Sequence, residues 1–138
     1  MRGQTYSDPD ATVPTSAFAL SAVAAARMLA ERAITCAVAQ DVATARAAIE
    51  DATVILDGVN DDSEAARVAV LLGEALLAVR DARAAHEQFE RAFVRLLVHD
   101  RQACARSVLG IARALSMLGD ARSKHAFEYA GYLQRELS

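Results

Sequence analysis

The sequence predicts an all-α protein built from three consecutive antiparallel helical hairpins. Hydrophobic residues make up 54% of its 138 residues, and it has only two prolines and six glycines. Alanine dominates the apolar positions, a mixture that favours helix over strand. A dipeptide ending in aspartate also recurs 40 and 39 residues apart, as Gln40-Asp41, Arg80-Asp81 and Gly119-Asp120. Each dipeptide closes one apolar helical stretch and opens another, which indicates an internal repeat.

The spacing of core residues after the first two dipeptides supports the repeat. The pattern small, apolar, small recurs as Ala45-x3-Ile49-x2-Ala52 and Ala85-x3-Phe89-x2-Ala92. An unrepeated domain has no need to reproduce this spacing, whereas an array of helical hairpins does. Repeat arrays of this kind more often bind other molecules than catalyse reactions.

Residues 1–14 are predicted to form a flexible arm, and residues 15–138 the helical domain. The arm holds both prolines and two aspartates and has no apolar period. From Thr15 to about Gln40, small and apolar residues alternate in steps of four and three, as expected for one face of an amphipathic helix.

The recurring aspartates are expected to cap the helices that follow them, because a carboxylate accepts hydrogen bonds from the free N–H groups of a first turn. The second helix is predicted to run from Asp41 to about Leu56, before the turn-forming stretch 57–62. Asp61 and Glu64 resemble a capping box for the third helix. The remaining helices are predicted over 63–79, 82–98, 102–118 and 121–137.

Residues 66–99 resemble a tetratricopeptide repeat through Leu72-Gly73, Leu76, Asp81, Ala85, Phe89 and Ala92. Residues 26–59 and 105–138 resemble it less closely. In the last unit, Lys124 and Glu128 fall on core positions, and a two-residue slip places Ala126, Ala130, Leu133 and Leu137 there instead. The resemblance implies a short right-handed solenoid of three hairpins. Its first helices would line a concave groove.

The same resemblance implies which residues face that groove. In the family's register, Arg27, Arg67 and Arg106 form one column, beside aliphatic residues and two further charges. The predicted groove residues are Arg27, Ile34, Val38, Arg67, Val70, Glu74, Leu77, Arg106, Leu109, Arg113 and Met117. This surface would be an apolar trough with a basic margin, suited to an amphipathic helix or an extended peptide with acidic residues. The alternative is that these arginines are ordinary solvated residues and the aliphatics belong to the core.

The distribution of charges, the two cysteines and the apolar stretches indicate which partners and which cellular compartment are expected. Fifteen basic and eighteen acidic residues are mixed along the chain, without a basic run that would follow a phosphate backbone, so nucleic acid is not expected to bind. Cys36 and Cys104 are isolated and are interpreted as small buried residues in a reducing cytoplasm. The apolar stretch 17–26 is too short to span a bilayer, and acidic residues precede it, so neither a membrane nor a secretory role is expected.

The sequence offers only fragments of motifs for catalysis or metal binding. His86-Glu87-Gln88-Phe89-Glu90 begins like a zinc protease helix but ends in glutamate, which removes the second metal-binding imidazole. Residues 57–64 are acidic but lack the glycine and glutamate of a calcium loop. No phosphate-binding or nucleophile motif occurs, so no cofactor, metal or enzymatic activity is predicted.

The leading hypothesis is therefore a cytoplasmic adaptor or regulatory protein that binds a protein or peptide in its groove. One alternative is a self-associating structural subunit. The last helix would leave Phe127, Tyr129 and Tyr132 without a following helix to cover them, so that a homodimer could form through this helix. The least favoured alternative is an all-helical enzyme.

Overall fold

The computed structural model describes residues 12–137, with side chains from residue 21 onward. Within that range the chain forms six helices that pack against one another, and it contains no strand. The helices are α1 (Thr12–Val38), α2 (Val42–Asp57), α3 (Ser63–Ala78), α4 (Ala82–His99), α5 (Arg101–Met117) and α6 (Ser123–Leu137). The all-α class is confirmed, and each predicted helix has a counterpart in the structure.

The first helix begins earlier than predicted. Thr12 is already helical, so the last residues of the proposed arm belong to α1. Residues 1–11, the remainder of the proposed arm, lie outside the described part of the chain.

The three recurring dipeptides form the same turn. Gln40, Arg80 and Gly119 have positive φ angles of 70°, 68° and 71°. The N–H of the aspartate that follows each of them donates to the carbonyl oxygen five residues earlier, that of Cys36, Leu76 or Leu115. This hydrogen-bond pattern is the Schellman motif, which ends a helix by one left-handed residue. The recurring dipeptides therefore end one helix as well as cap the next.

The predicted capping by these aspartates is confirmed, with a difference at the third turn. Asp41 accepts from the N–H of Thr44 and Asp81 from that of Ala84, at 3.2 and 3.3 Å. Asp120 instead accepts from the N–H of Arg122, so α6 begins two residues later than predicted.

The cap predicted at Asp61 was wrong by one residue. Asp62 occupies the N-cap position of α3, and its carboxylate accepts from the N–H of Ala65 at 2.9 Å. Asp100, not anticipated from the sequence, caps α5 by accepting from the N–H of Ala103 at 3.0 Å. Four helices thus begin at an aspartate whose carboxylate accepts an N–H three residues later.

Each helix packs mainly against its neighbours in sequence, and α1 also packs along α3. Helix α5 packs more extensively against α4 than against α3. Two arginines bond carbonyl oxygens at the ends of other helices: Arg46 of α2 donates to that of Val79, the C-cap of α3, and Arg91 of α4 donates to that of Leu56 in α2. Each guanidinium thus connects its own helix to the last turn of another, where carbonyl oxygens are left free for further hydrogen bonds.

The core is made mostly of alanine and branched aliphatic residues, with Phe89 as its largest fully buried side chain. Its ring lies against two glycines, Gly73 of α3 and Gly110 of α5. A Cβ at Gly73 would lie 2.7 Å from the ring, and one at Gly110 would overlap it. Gly73 is one of the residues that carry the repeat resemblance, whereas Gly110 was not recognised from the sequence.

The two-residue slip predicted for the last hairpin is confirmed at two of its four positions, while Ala126 is only partly buried. Ala130 and Leu133 are buried, while Lys124 and Glu128 are exposed. The expectation for Leu137, at the end of α6, was wrong, because 42% of this residue is exposed.

Candidate binding site

Three arginines from different helices meet at one cleft. Arg27 of α1, Arg67 of α3 and Arg106 of α5 line a depression of about 530 Å³. Asp100 and Gln102 contribute from the start of α5, and Gln134 from α6. The column of arginines expected from the family register is thus present as a shared lining. We call this depression the arginine cleft.

A glutamate joins two of these arginines. Glu64, in the first turn of α3, pairs with Arg27 through one carboxylate oxygen and with Arg67 through the other, the latter at 2.8 Å. Because Arg67 lies three residues after Glu64, both side chains are on the same face of the helix. The pairing ties α1 to α3 at the edge of the cleft.

Arg67 makes a further ion pair with Asp100. Its Nε lies 2.8 Å from Oδ2 of Asp100. Hydrogen bonds from Arg67 and from the N–H of Ala103 lower the pKa of Asp100 below its ordinary value, and the bond with Asp100 raises the pKa of Arg67. Asp100 therefore caps α5 and holds it to α3 through one carboxylate.

Arg106 turns back toward α3. Its Nη2 lies 2.6 Å from Oε1 of Glu74, and its Nε donates to the other oxygen of the same carboxylate. This fork geometry fixes the guanidinium plane more firmly than a single bond would. About half of the Arg106 side chain remains exposed, so it is accessible from the cleft.

The charges in and around the arginine cleft nearly balance. Three arginines are accompanied by Glu31 and Asp100 in the lining, and by Glu64 and Glu74 as ion-pair partners. The lining contains few apolar residues; Val70, itself buried, is one of them. The surface around the arginines is therefore a polar, charge-paired cleft and not the apolar trough that the sequence suggested.

The structure places the other predicted groove residues outside this lining. Ile34, Leu77 and Leu109 are partly buried against the core. Val38 and Met117 are exposed near the ends of α1 and α5, and Arg113 is exposed on α5. Glu74 reaches the cleft through Arg106. Only Arg27, Arg67, Val70 and Arg106 of the predicted set line it together.

Two tyrosines of α6, Tyr129 and Tyr132, form a small aromatic cluster with Phe93 of α4. Phe93 and Tyr129 meet edge to face with ring centroids 6.2 Å apart, and Tyr129 stacks on Tyr132 at 6.3 Å. Phe127, Tyr129 and Tyr132 are all partly exposed. The face of α6 turned away from α5 also carries the exposed charges Lys124, Glu128 and Arg135.

Residues typical of catalysis are dispersed. His86 lies 3.6 Å from Glu90 and His125 lies 3.5 Å from Glu128, in each case within one helix. Burial raises the pKa of the Cys104 thiol. Among the described residues, no group of three or more His, Cys, Asp or Glu side chains is placed to hold a metal ion. None of the described helices is long and apolar enough to cross a bilayer.

Sequence reasoning missed two of the acidic residues that organise the cleft, Glu64 and Asp100, although it included Glu74. Glu64 lies three residues before Arg67, a spacing that indicates an ion pair on one helix face. Asp100 lies 33 residues after Arg67, and only the packing of α5 against α3 brings them together. No protein-family model matches the chain, and no match was found among curated proteins or solved structures.

Proposed function

We propose that this protein is a non-enzymatic protein-interaction module, an adaptor or regulatory protein that binds a peptide or helix at the arginine cleft. The observation that carries the proposal is the convergence of Arg27, Arg67 and Arg106 on one open cleft. Binding sites are typically concave, and a small number of converging polar groups fixes the orientation of the ligand.

A tetratricopeptide-like solenoid is the arrangement that we propose for the array. In support, α1 packs along α3, α5 also contacts α3, and Phe89 packs on Gly73 as the resemblance implies. The cleft is lined by α1, α3 and α5, the helices expected on the inner side of such a solenoid. Repeat arrays use that side as an extended binding surface.

The ion pairs define the chemistry of a suitable ligand. A guanidinium has five N–H donors, and the described partners engage Arg27 through Nη2 alone and Arg106 through Nε and Nη2. A peptide carboxylate would share these arginines with Glu64 and Glu74. We therefore expect an acidic side chain flanked by neutral or basic residues, since a strongly acidic peptide would be repelled by the four surrounding carboxylates.

A peptide-display library screened against the wild-type chain tests this proposal. Selected peptides are measured by fluorescence anisotropy against Arg106→Gln and against Arg95→Gln, a control at an exposed site on the surface of α4. We expect Arg106→Gln to weaken binding about tenfold, a loss of about 1.4 kcal/mol, and Arg95→Gln to leave it unchanged. Equal affinity for both variants, or the absence of selected peptides, would contradict the proposal.

Arg106 is better suited to this test than Arg67. Arg67 balances Glu64 and Asp100 together, so its replacement leaves two neighbouring carboxylates unpaired and weakens the junction of α3 with α5. Arg106 pairs with Glu74 alone and is more exposed. Its replacement by glutamine therefore separates a loss of binding from a loss of folding.

Self-association remains the second candidate function, because apolar surface is exposed at both ends of the array, including the aromatic rings of α6. An all-helical enzyme is the least favoured candidate. The catalytic residue types in the described chain are dispersed over separate helices, which is why binding is preferred.

A further inference from the structure

Helix α5 carries more positive charge than any other described helix. It contains Arg101, Arg106 and Arg113 and no acidic residue, whereas each of the other described helices contains at least one. Arg106 is paired with Glu74 of α3. Arg113 is exposed, and it has no ion pair within the described part of the chain. The half of α5 beyond the arginine cleft therefore presents a positive charge that no described carboxylate balances.

Arg106 and Arg113 leave α5 on the same face. Seven residues are close to two turns of an α-helix, so both side chains start in nearly the same direction, with their Cα atoms about 10 Å apart. Leu109, one turn after Arg106, is partly buried against the core. Met117, one turn after Arg113, is 38% exposed. This face of α5 thus continues the arginine cleft with alternating basic and apolar side chains.

Helix α6 adds an aromatic side chain beside this face. The chain reverses between α5 and α6, and Gln134 of α6 returns to the level of Gln102, where both line the arginine cleft. Phe127, two turns before Gln134 and on the same side of α6, is therefore level with Leu109, two turns after Gln102. Phe127 is 41% exposed. We call the surface formed by Leu109, Arg113, Met117 and Phe127 the α5–α6 shelf.

We propose that the ligand of the arginine cleft is an amphipathic helix of a partner protein, which lies along α5 and continues onto the α5–α6 shelf. Because the same ligand would occupy both surfaces, this assignment rests on the proposed function. The helix would present two acidic residues, seven positions apart, to Arg106 and Arg113. Apolar residues three and four positions after the first acidic residue would contact Leu109 and Phe127. A helix beside α5 has the same repeat of about seven residues, so all these contacts form in one register.

The shelf fits a helix better than an extended strand. A buried extended strand needs hydrogen-bond partners for its backbone N–H and C=O groups. The shelf offers the guanidinium of Arg113 and otherwise only apolar side chains. A helix satisfies its backbone internally and needs only side-chain contacts. The α5 helix of a second copy is disfavoured as the occupant, because its arginines would face those of the first copy.

Two designed alanine-based helical peptides test the assignment by fluorescence anisotropy with the full chain. The first peptide carries two glutamates seven positions apart, with two leucines between them on the same face. In the second peptide the later glutamate is moved two positions, away from that face, so composition and net charge are unchanged. We expect the first peptide to bind about fivefold more tightly, as for a partly exposed ion pair. Equal affinities, or no binding of the first peptide, would overturn the assignment.

Protein variants with matched controls locate the contact on the shelf. Arg113→Gln should weaken binding of the first peptide about fivefold, whereas Arg101→Gln, an exposed position on a different side of α5, should leave it unchanged. Phe127→Ala should also weaken it. Tyr132→Ala, on another side of α6 and 49% exposed, should not. All four residues are exposed, so helical circular dichroism should be preserved.

The outcomes distinguish a failure of this assignment from a failure of the proposed function. If Arg106→Gln weakens the peptides selected by display but Arg113→Gln weakens neither those nor the first designed peptide, the cleft binds peptides and the helix along α5 is wrong. If neither substitution affects any peptide, both proposals are wrong. Self-association of the wild type in sedimentation velocity that is lost in Arg113→Gln would overturn the assignment in another way, because a second copy would then occupy the shelf.

Discussion

The ring of Phe89 lies so close to Gly110 that no side chain fits between them. A Cβ at Gly110 would overlap the ring, and Gly73 approaches the same ring from α3. Phe89 itself is fully buried. One aromatic side chain thus determines how closely α3, α4 and α5 pack, and the two glycines are required because of their small size rather than an unusual backbone conformation.

Gly110→Ala is expected to destabilise the protein, because adding a methyl group to a filled core costs about 1–3 kcal/mol. Alanine is preferred to glycine within a helix by roughly 1 kcal/mol, so the net loss is expected to reach up to about 2 kcal/mol. Gly131→Ala is the matched control, because a Cβ there would meet only the end of the Arg135 side chain at 3.5 Å. Urea unfolding should show the control to be neutral or more stable, and a stabilised Gly110→Ala would contradict the packing described.

Phe89→Ala should cost about 3–5 kcal/mol, since it empties a fully enclosed site whose glycine neighbours have no side chains to fill it. Phe127→Ala, at an exposed position on α6, is the control and should cost far less. Thermal unfolding followed by circular dichroism measures both. A melting temperature unaffected by Phe89→Ala would mean that the helix register in the second hairpin is wrong.

Gln40→Gly and Arg80→Gly should each stabilise the protein. Both residues have left-handed backbone conformations, with φ of 70° and 68°, which cost a residue with a Cβ about 1 kcal/mol or more. Part of the gain is offset by the greater freedom of glycine in the unfolded chain, so about 0.5–1 kcal/mol is expected. The converse substitution, Gly119→Ala, should lose a similar amount. Chemical denaturation of the three variants checks the signs.

Acid is expected to destabilise the protein, because it protonates aspartates that are paired with arginines in the folded state. Hydrogen bonds from Arg122 lower the pKa of Asp120 to about 2 from 3.8, and Arg67 lowers that of Asp100. A lowered carboxyl pKa contributes stability that is fully present above the unfolded pKa and is lost as pH falls through the folded pKa. The free energy of unfolding should therefore be nearly constant from pH 7 to 5 and fall between about pH 4 and 2.

Asp100→Asn tests the contribution of one of these pairs. Asparagine caps a helix about as well as aspartate does, so the variant removes chiefly the ion pair with Arg67. At pH 6 it should cost about 0.5–1 kcal/mol, because the pair is partly exposed. Urea unfolding at pH 6 and pH 3 should show the difference from the wild type shrinking at pH 3. A difference that is independent of pH would contradict the assigned role of Asp100.

Helix positions were largely predictable because they depend on local signals. Asp41 and Asp81 mark helix starts by capping chemistry, and the alternation of small and apolar residues marks the buried faces. The prediction failed where two local signals compete: Asp61 and Asp62 are both plausible caps, and only the path of the turn selects Asp62.

The binding site was less predictable because its contacts are non-local. The arginine column followed from the repeat register, but the partners of those arginines did not. Arg67 meets Asp100 only because α5 packs on α3, and Arg106 meets Glu74 across the same junction. The requirement for a small residue at Gly110 likewise depends on a ring in another helix. Single-helix periodicity contains no information on such pairs.

The shared geometry of the three turns has a consequence for how such a chain can change over time. Glutamine, arginine and glycine occupy the same left-handed position, and the backbone hydrogen bonds that close the turn are the same in all three. The side chain at that position does not determine the path of the chain. Substitutions can therefore accumulate there without altering the turn, which leaves the aspartate as the residue that all three turns have in common.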